Sequence, residues 1–213
     1  MVASMDRHRL RIPATLIQTE AELFAENRSG GRFHNPWDSP PLPGARDLLK
    51  WQTSRKRGGR RAEIQTVADP LAAMTALTGD ARVLWVGHAS FLIELDGVRV
   101  LVDPIFGRAA GVVPRVSPAA LQAAQMPELD AVLVTHGHHD HLDPSSLRAL
   151  ARRFGPELPF IVPSALGRCL PRACKRIVEL DWWERQTIGD EATIVFLSGL
   201  KSDMEGTKAV ALE

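Results

Sequence analysis

The stretch THGHHDHLD, residues 135–143, constrains this chain more than any other part of its sequence. It holds four histidines, two aspartates and one glycine, and it follows the apolar run DAVLV, residues 130–134, which predicts a buried strand. Imidazole and carboxylate groups bind zinc and related first-row metals, and catalytic zinc sites combine them with an open position for water. The sequence therefore predicts a metal site at the end of a buried strand.

The spacing of the ligand-type residues predicts how they meet. In extended backbone, positions i, i+2 and i+4 face one side, so we expect His136, His138 and Asp140 to converge. His141 lies at the bend into the next element and turns toward them. Two histidines then hold one metal ion, and Asp140 with His141 begins a second site ~3.5–4 Å away, as in hydrolases that bridge a hydroxide between two metals. Such ions lower the pKa of the bound water toward ~7 and supply the nucleophile.

A helix is predicted directly after this stretch, from Pro144 to Phe154. Asp143 has the side chain of an N-cap, proline suits the first helical position, and Leu147 and Leu150 belong to an apolar stripe. The N-terminus of this helix points at the histidine-rich loop, and its dipole favours anionic substrates such as phosphates. The alternative interpretation is a polar loop that binds no metal.

Short β-branched and aliphatic runs predict strands from residue 82 onward. Val83–Val86, Phe91–Leu95 and Val98–Val102 are the first three, and Asp96-Gly97 joins the last two as a tight hairpin. Strands alternate with helices further along, which indicates an α/β (α+β) fold. The remaining predicted elements are strands at Asp130–Val134, Pro159–Val162, Arg176–Glu179 and Thr193–Leu197, and helices at Pro118–Gln125 and Ser164–Leu170.

Two residues outside the histidine-rich stretch are candidates for the surroundings of the metal. Asp103 stands at the end of the third predicted strand, where Pro104 stops the ladder. Its carboxylate either orients a metal-bound histidine from behind or caps the following turn. His88 lies between the first two strands, next to Gly87, and either lines the same pocket or is a surface residue.

The first 80 residues show weak patterning. They are predicted to form an N-terminal extension with short helices, ahead of a domain that covers residues 81–213. Helices are indicated at Ile12–Asn27, Ala45–Trp51 and Leu71–Leu77. The run RKRGGRR, Arg55–Arg61, carries five positive charges, and it either grips phosphates of a substrate or of lipid head groups or is a solvated loop.

The composition excludes several classes of protein. With 213 residues, 45% hydrophobic and 24% charged, the chain can bury one substantial core. Its 26 basic residues balance 25 acidic ones to a net charge of +1, so no nucleic-acid partner is expected. No apolar run is long enough to span a bilayer and no leader peptide is evident, which predicts a cytoplasmic protein with peripheral membrane contact as an alternative. Cys169 and Cys174 are expected to be reduced thiols.

Several motifs together resemble the metallo-β-lactamase superfamily, and within it the branch similar to N-acyl-phosphatidylethanolamine-hydrolysing phospholipase D. The resemblance covers about residues 83–196. It rests on WVGHAS (85–90), DPIF (103–106), LVTHGHHDHLD (133–143), FGPELPFIVP (154–163) and ELDWWE (179–184). It implies an αββα sandwich, two zinc ions, and hydrolysis of a small-molecule or lipid phosphodiester or a related ester.

The resemblance also implies roles for individual residues. It assigns His136 and His138 to one zinc ion, and Asp140 and His141 to the other. Asp140 would in addition handle the proton during hydrolysis. Members of that branch place a third histidine shortly after the strand that resembles Thr193–Phe196, then a bridging aspartate and a final histidine much further on.

The sequence departs from this pattern after residue 196. No histidine follows His141, and Asp203 and Glu205 are the late carboxylates nearby. The expectation is a zinc-dependent hydrolase, with two alternatives: a truncated, inactive half-domain that binds metal weakly and acts through assembly, or a lactonase or other ester hydrolase on the same metals. A sandwich that retains only its N-terminal half would leave core apolar surface uncovered, which predicts association into a homo-oligomer.

Overall fold

A computed structural model describes residues 28–29, 32–33, 44–54, 66–108, 111, 114–189, 192–198 and 208–212. These residues fall into two compact units. The first unit contains strands β1 (Arg28–Ser29) and β2 (Arg32–Phe33), which pair antiparallel, and nearly all of helix α1 (Ala45–Ser54). The predicted helix at Ile12–Asn27 and the basic run Arg55–Arg61 lie outside the described residues. The division of the chain at residue 80 stays a prediction.

A six-stranded mixed sheet forms the centre of the second unit, with strands in the order β3-β4-β5-β6-β7-β8. The first three strands are antiparallel neighbours, and β5 to β8 run parallel. The chain therefore leaves β3, β5, β6, β7 and β8 at the same edge of the sheet. The strands are β3 (Ala81–Gly87), β4 (Ser90–Leu95), β5 (Val98–Val102), β6 (Ala131–Leu133), β7 (Pro159–Pro163) and β8 (Arg176–Leu180).

A second, antiparallel sheet has the order β11-β10-β9. It consists of β9 (Arg185–Ile188), β10 (Ala192–Ser198) and β11 (Lys208–Leu212). The sequence predicts β10 but not β9, whose residues RQTI include one buried apolar side chain, Ile188, and so lack the alternation that marks a strand.

Apolar side chains of the central sheet point alternately to two cores. Along β7, Phe160 and Val162 belong to one core and Ile161 to the other. The first core contains Leu147 and Leu150 of the helix after β6, and the second contains residues of β9 and β10. The six-stranded sheet is thus covered by helix on one face and by the second sheet on the other. This layered arrangement agrees with the predicted α/β sandwich.

Two helices of the second unit begin as the sequence predicts. Helix α2 (Pro70–Thr75) is capped by Asp69, whose carboxylate accepts a hydrogen bond from Ala72 N at 3.0 Å. Helix α3 (Pro144–Phe154) has the predicted bounds and is capped by Asp143. None of the helices in the described ranges is long and apolar enough to cross a membrane.

Two other predicted helices are wrong, and each is replaced by a single 3-10 turn. Over Pro118–Gln125 the turn covers only Ala123–Gln125, because Ala120 N donates to Val86 O at 2.8 Å and draws the preceding backbone onto β3. Over Ser164–Leu170 it covers only Gly167–Cys169. There the Glu179 carboxylate accepts from two backbone amides of the segment, at 2.9 and 2.8 Å, in place of helical carbonyls.

The edge of the central sheet at β3 and β4 carries exposed apolar side chains. The predicted hairpin at Asp96-Gly97 is present there, with φ of 49° and 84° at its two turn residues. Val83, Trp85 and Phe91 are all exposed, and the last two face each other across the β3–β4 pair. The predicted self-association of the chain stays a prediction.

Candidate metal centre

The loops that follow β3, β5 and β6 bring the candidate residues together at one edge of the central sheet. His88 lies in the turn between β3 and β4, Asp103 directly follows β5, and the histidine-rich stretch follows β6. Asp103 N donates to Leu133 O at 2.8 Å, which fixes the Asp103 loop against the end of β6. Residues that are up to 53 positions apart in sequence, His88 and His141, thereby share a site.

Asp103 is the buried anchor of this site. Its side chain is 3% exposed and accepts three hydrogen bonds: from Thr135 N at 2.7 Å, from Thr135 Oγ1 at 2.6 Å and from His141 Nδ1 at 2.8 Å. The hydroxyl of Ser90 donates to Asp103 O at 2.6 Å and accepts from Ile105 N at 3.0 Å, so the backbone around Asp103 is also held. The carboxylate is thus fixed before any ligand binds.

This network determines the tautomers of two histidines. The Thr135 hydroxyl gives its single proton to Asp103, so at its 2.9 Å contact with His136 Nδ1 it accepts, and Nδ1 carries the proton. His141 likewise donates from Nδ1 to Asp103. In the neutral form of either ring, Nε2 is therefore the unprotonated nitrogen, which is the state that binds a metal.

The free ligand atoms lie at separations that suit a shared metal ion. His136 Nε2 and His138 Nδ1 are 3.1 Å apart, His88 Nε2 and Asp140 Oδ2 are 3.4 Å apart, and His141 Nε2 and Asp140 Oδ2 are 3.9 Å apart. A tetrahedral ion with bonds of about 2.0–2.2 Å spaces its ligand atoms about 3.3–3.6 Å apart. The 3.4 Å separation lies in this range and the other two lie within about 0.3 Å of it, so the residues present fit a bound metal, in two neighbouring sets, after small side-chain shifts.

The electrostatics of the site favour an ionised Asp140 and act in opposite directions on His136 and His141. Burial, followed by the neighbouring charges of His141 and His138, lowers the pKa of His136. Burial alone would also lower the pKa of His141, but its hydrogen bond to Asp103 raises it above the ordinary value. Burial opposes the ionisation of Asp140, yet its own backbone amide and the nearby His141 and His88 outweigh this and lower its pKa.

The backbone of the histidine-rich stretch differs from the extended form predicted from the spacing. His141 N and Leu142 N both donate to His138 O, at 2.9 and 2.8 Å, so the chain turns at residues 139–141. The turn separates Asp140 from His138 and carries it toward His88. The prediction of an extended run is wrong from residue 139 onward, because alternation alone does not reveal a turn that ends in a capped helix.

Three-membered sets of ligand atoms within 4.8 Å of one another occur twice among the described residues. One set is His88, Asp140 and His141, and the other is Asp103, His136 and His141. His138 contacts His136 but belongs to neither set, and His139 is exposed. Asp203 and Glu205 lie outside the described residues. Imidazole and carboxylate ligands suit zinc and also iron and other first-row metals, so the donor set fixes the class of metal and not its identity.

Comparison with protein families agrees with this geometry. The model of a family described as a beta-lactamase superfamily domain matches residues 98–209. The chain belongs to the beta-lactamase superfamily. The matched region of this superfamily domain includes Asp103, the histidine-rich stretch and strands β5 to β10, and it ends within β11. Both the superfamily and the fold class predicted from the sequence motifs are confirmed.

Individual proteins are similar to parts of this beta-lactamase superfamily chain. An uncharacterized protein of Mycobacterium tuberculosis is 40% identical over 161 residues, which cover 70% of this chain and 41% of the relative. N-acyl-phosphatidylethanolamine-hydrolyzing phospholipase D 1 of Caenorhabditis elegans is 28% identical over 189 residues, 79% of this chain and 53% of the relative. A metal-dependent hydrolase of Methanopyrus kandleri is 44% identical over 61 residues, 29% of this chain and 23% of the relative. The chain thus spans about half or less of the length of each.

Proposed function

We propose that this domain is a zinc-dependent hydrolase of phosphodiester or related ester substrates, with His136, His138, Asp140 and His141 as metal ligands. The observation that carries the proposal is the set of imidazole nitrogens and carboxylate oxygens, 3.1–3.9 Å apart, at one edge of the sheet. Kinship with a metal-dependent hydrolase and with a phospholipase D supports the reaction class.

Asp103 prepares the metal ligands. It holds His141 directly and His136 through the Thr135 hydroxyl, so one buried carboxylate sets the tautomer of a histidine in each proposed metal set. Carboxylates behind metal-bound histidines fix ring orientation and raise the basicity of the coordinating nitrogen. The network therefore holds Nε2 of His136 and Nε2 of His141 in position to bind a metal ion without further rearrangement of the rings.

Asp140 has a second task in the proposed reaction. A bound zinc ion supplies a Lewis acid for the scissile ester and lowers the pKa of a water molecule. The lowered pKa of Asp140 keeps its carboxylate ionised at neutral pH. In this form Oδ1 or Oδ2 can accept a hydrogen bond from the attacking water and pass on its proton without retaining it. His138 and His139 are exposed, which leaves this side of the site open to a substrate.

A relative and the position of helix α3 support the proposed substrate class. A phosphodiester, small-molecule or lipid, matches the phospholipase D relative, and the N-terminal dipole of helix α3 favours an anionic group beside the histidine-rich loop. Contact with a membrane through Arg55–Arg61 is the further expectation for a lipid substrate. Nothing in the near-neutral charge balance favours a nucleic acid.

Hydrolysis of bis(p-nitrophenyl) phosphate and of a simple lactone by the zinc-saturated chain tests the proposal. We expect turnover of the phosphodiester and a loss of at least ~100-fold in kcat/KM, roughly 2.7 kcal/mol, in Asp140→Asn and His138→Ala. His139→Asn is the matched control, because His139 is exposed and belongs to neither ligand set. A zinc-loaded chain that cleaves only the lactone identifies the alternative ester hydrolase. One that cleaves neither substrate identifies an inactive half-domain.

A further inference from the structure

The imidazole of His88 faces the same space as Asp140 and His141. Its Nε2 is 3.4 Å from Asp140 Oδ2, and its ring centroid is 6.1 Å from that of His141. The three ligand atoms lie within 4.8 Å of one another. We propose that His88 is a metal ligand, which completes with Asp140 and His141 the second metal set; this inference deepens the proposed function and rests on it.

The two ligand sets differ in how many of their atoms are free. In the set that contains Asp103, the carboxylate already accepts three hydrogen bonds and is nearly fully buried, so it acts from behind the histidines. His141 Nδ1 is occupied by the same carboxylate. In the set that contains His88, all three atoms, His88 Nε2, Asp140 Oδ2 and His141 Nε2, face one another. This second set is therefore the one built to surround an ion.

The count of ligands supports the same assignment. Asp140 and His141 alone provide two protein atoms, whereas catalytic zinc sites use three protein ligands and keep the fourth position for water or substrate. His88 supplies the third from the turn between β3 and β4. The half-exposed side chains of His88 and Asp140 leave room for the fourth position.

The backbone at His88 is held in a conformation that a non-glycine residue rarely adopts. Its φ is 55°, in the left-handed region, and Gly87 before it has a φ of 125°. Trp85 Nε1 donates to His88 O at 2.8 Å, and the guanidinium of Arg115 packs so closely that a Cβ at Gly87 would collide with it. Arg115 is itself anchored by Nη1 donating to Ile105 O at 2.8 Å. Strain that neighbours enforce in this way is typical of functional turns.

The separation of His88 Nε2 and Asp140 Oδ2 suits two ligands of one ion and is long for a strong hydrogen bond. A charge-assisted N–H···O bond measures about 2.7–2.9 Å, while two atoms on one tetrahedral ion lie about 3.3–3.6 Å apart. The observed 3.4 Å falls in the second range.

Direct detection of the bond between metal and nitrogen tests the proposal. The full chain, with nitrogen-labelled histidine, is loaded with an NMR-active cadmium isotope, and the couplings between cadmium and ring nitrogens are recorded. The His88 signals are assigned with His88→Asn, because asparagine tolerates the left-handed region and its amide does not reach the position of Nε2. His139→Asn is the matched control, from an exposed histidine in the same loop as the ligands.

We expect a coupling at His88 Nε2 and none at His139. We also expect His88→Asn to weaken one of the two bound ions by more than ~100-fold, beyond the 10–100-fold loss that follows removal of a residue behind the ligands. Couplings at His136 and His141 without one at His88 would overturn this proposal and leave the proposed function intact. A chain that binds neither cadmium nor zinc would overturn both.

Discussion

At the scale of single residues, the site depends on Asp103. It is buried, sits at a positive φ of 43° and joins Thr135 and His141 through three hydrogen bonds. Its backbone is clamped in turn by the hydroxyl of Ser90. A strained backbone at a carboxylate that no solvent reaches is consistent with a residue kept for positioning rather than for stability.

Asp103→Asn should therefore weaken metal binding without unfolding the chain. The neutral amide accepts less strongly and adds a donor that opposes the protons of Thr135 and His141, so the histidine tautomers are no longer fixed. We expect a 10–100-fold loss of zinc affinity by calorimetric titration. Asp96→Asn, in the exposed hairpin turn, is the control and should bind zinc like the native chain. Equal affinity in both variants would contradict the positioning role.

Cys174 makes a separate prediction about pH. Burial raises the pKa of its thiol from 9.0 to about 11. The folded chain therefore holds this proton more tightly than the unfolded chain, and the resulting stability is present in full below pH 9 and lost as the pH rises toward 11. Urea unfolding should show that the free energy of unfolding falls by roughly 1–2 kcal/mol more in the native chain than in Cys174→Ala as the pH rises through this window. If the free energy of unfolding fell equally in the two proteins, the pKa of the thiol would be the same in the folded and unfolded chain.

At the scale of elements, helix α3 connects the histidine-rich stretch to the DPIF loop. Asp143 Oδ2 accepts from Ser146 N at 3.1 Å and from Ser146 Oγ at 2.6 Å, and the same hydroxyl accepts from Phe106 N at 2.9 Å. The residue that caps the helix therefore also holds, through Ser146, the loop that carries Asp103. A local capping motif in this way controls the distance between two distant parts of the sequence.

Asp143→Ala should lower the free energy of unfolding by more than the loss of an ordinary N-cap does. Loss of an N-cap side chain removes about 0.5–2 kcal/mol from the free energy of unfolding, and here the partner of Ser146 is lost as well. We expect a value at the upper end of that range by chemical denaturation. Ser145→Ala is the matched control, since Ser145 is exposed and, among the described residues, its hydroxyl hydrogen-bonds to Asp143 alone, at 2.9 and 2.7 Å. If Asp143→Ala lowered the free energy of unfolding by less than Ser145→Ala, Asp143 would not hold the DPIF loop through Ser146.

At the scale of the whole second unit, stability comes from two cores on opposite faces of one sheet. Ile161 of β7 packs toward Phe196 of β10, and its neighbours Phe160 and Val162 pack toward helix α3. The second sheet is therefore part of the folded unit and not an appendage. Burial on both faces also explains why the inner parallel strands β6 and β7 read as continuous apolar runs.

Phe196→Ala tests the contribution of the second sheet. Phe196 is fully buried, and removal of a buried phenylalanine ring costs about 3–5 kcal/mol because a cavity remains. We expect a loss of that size in the free energy of unfolding, in one cooperative transition followed by circular dichroism. Phe91→Ala, whose ring is 36% exposed, should lose far less. Equal effects would mean that β10 does not pack on the central sheet as the structure shows.

Local patterns in the sequence predict several elements of the structure correctly. Strand β6, the capped helix α3 and the Asp96-Gly97 hairpin all follow from apolar periodicity, an N-cap and a turn dipeptide. The meeting of His88 with Asp140 depends on a turn at residues 139–141 and on the alignment of β3 with β6 across the sheet. These are contacts between distant residues, and no local pattern of side chains reports them.

The count of tightly bound metal ions tests the central claim most directly. The purified chain is saturated with zinc, dialysed and measured by elemental analysis against its protein concentration. We expect about two ions per chain, one for His136 with His138 and one for Asp140 with His141, since two-metal hydrolases hold a pair of neighbouring ions. Asp140→Asn should lower that count, and His139→Asn should not. Retention of less than about one ion per native chain would show that these residues do not form a metal centre.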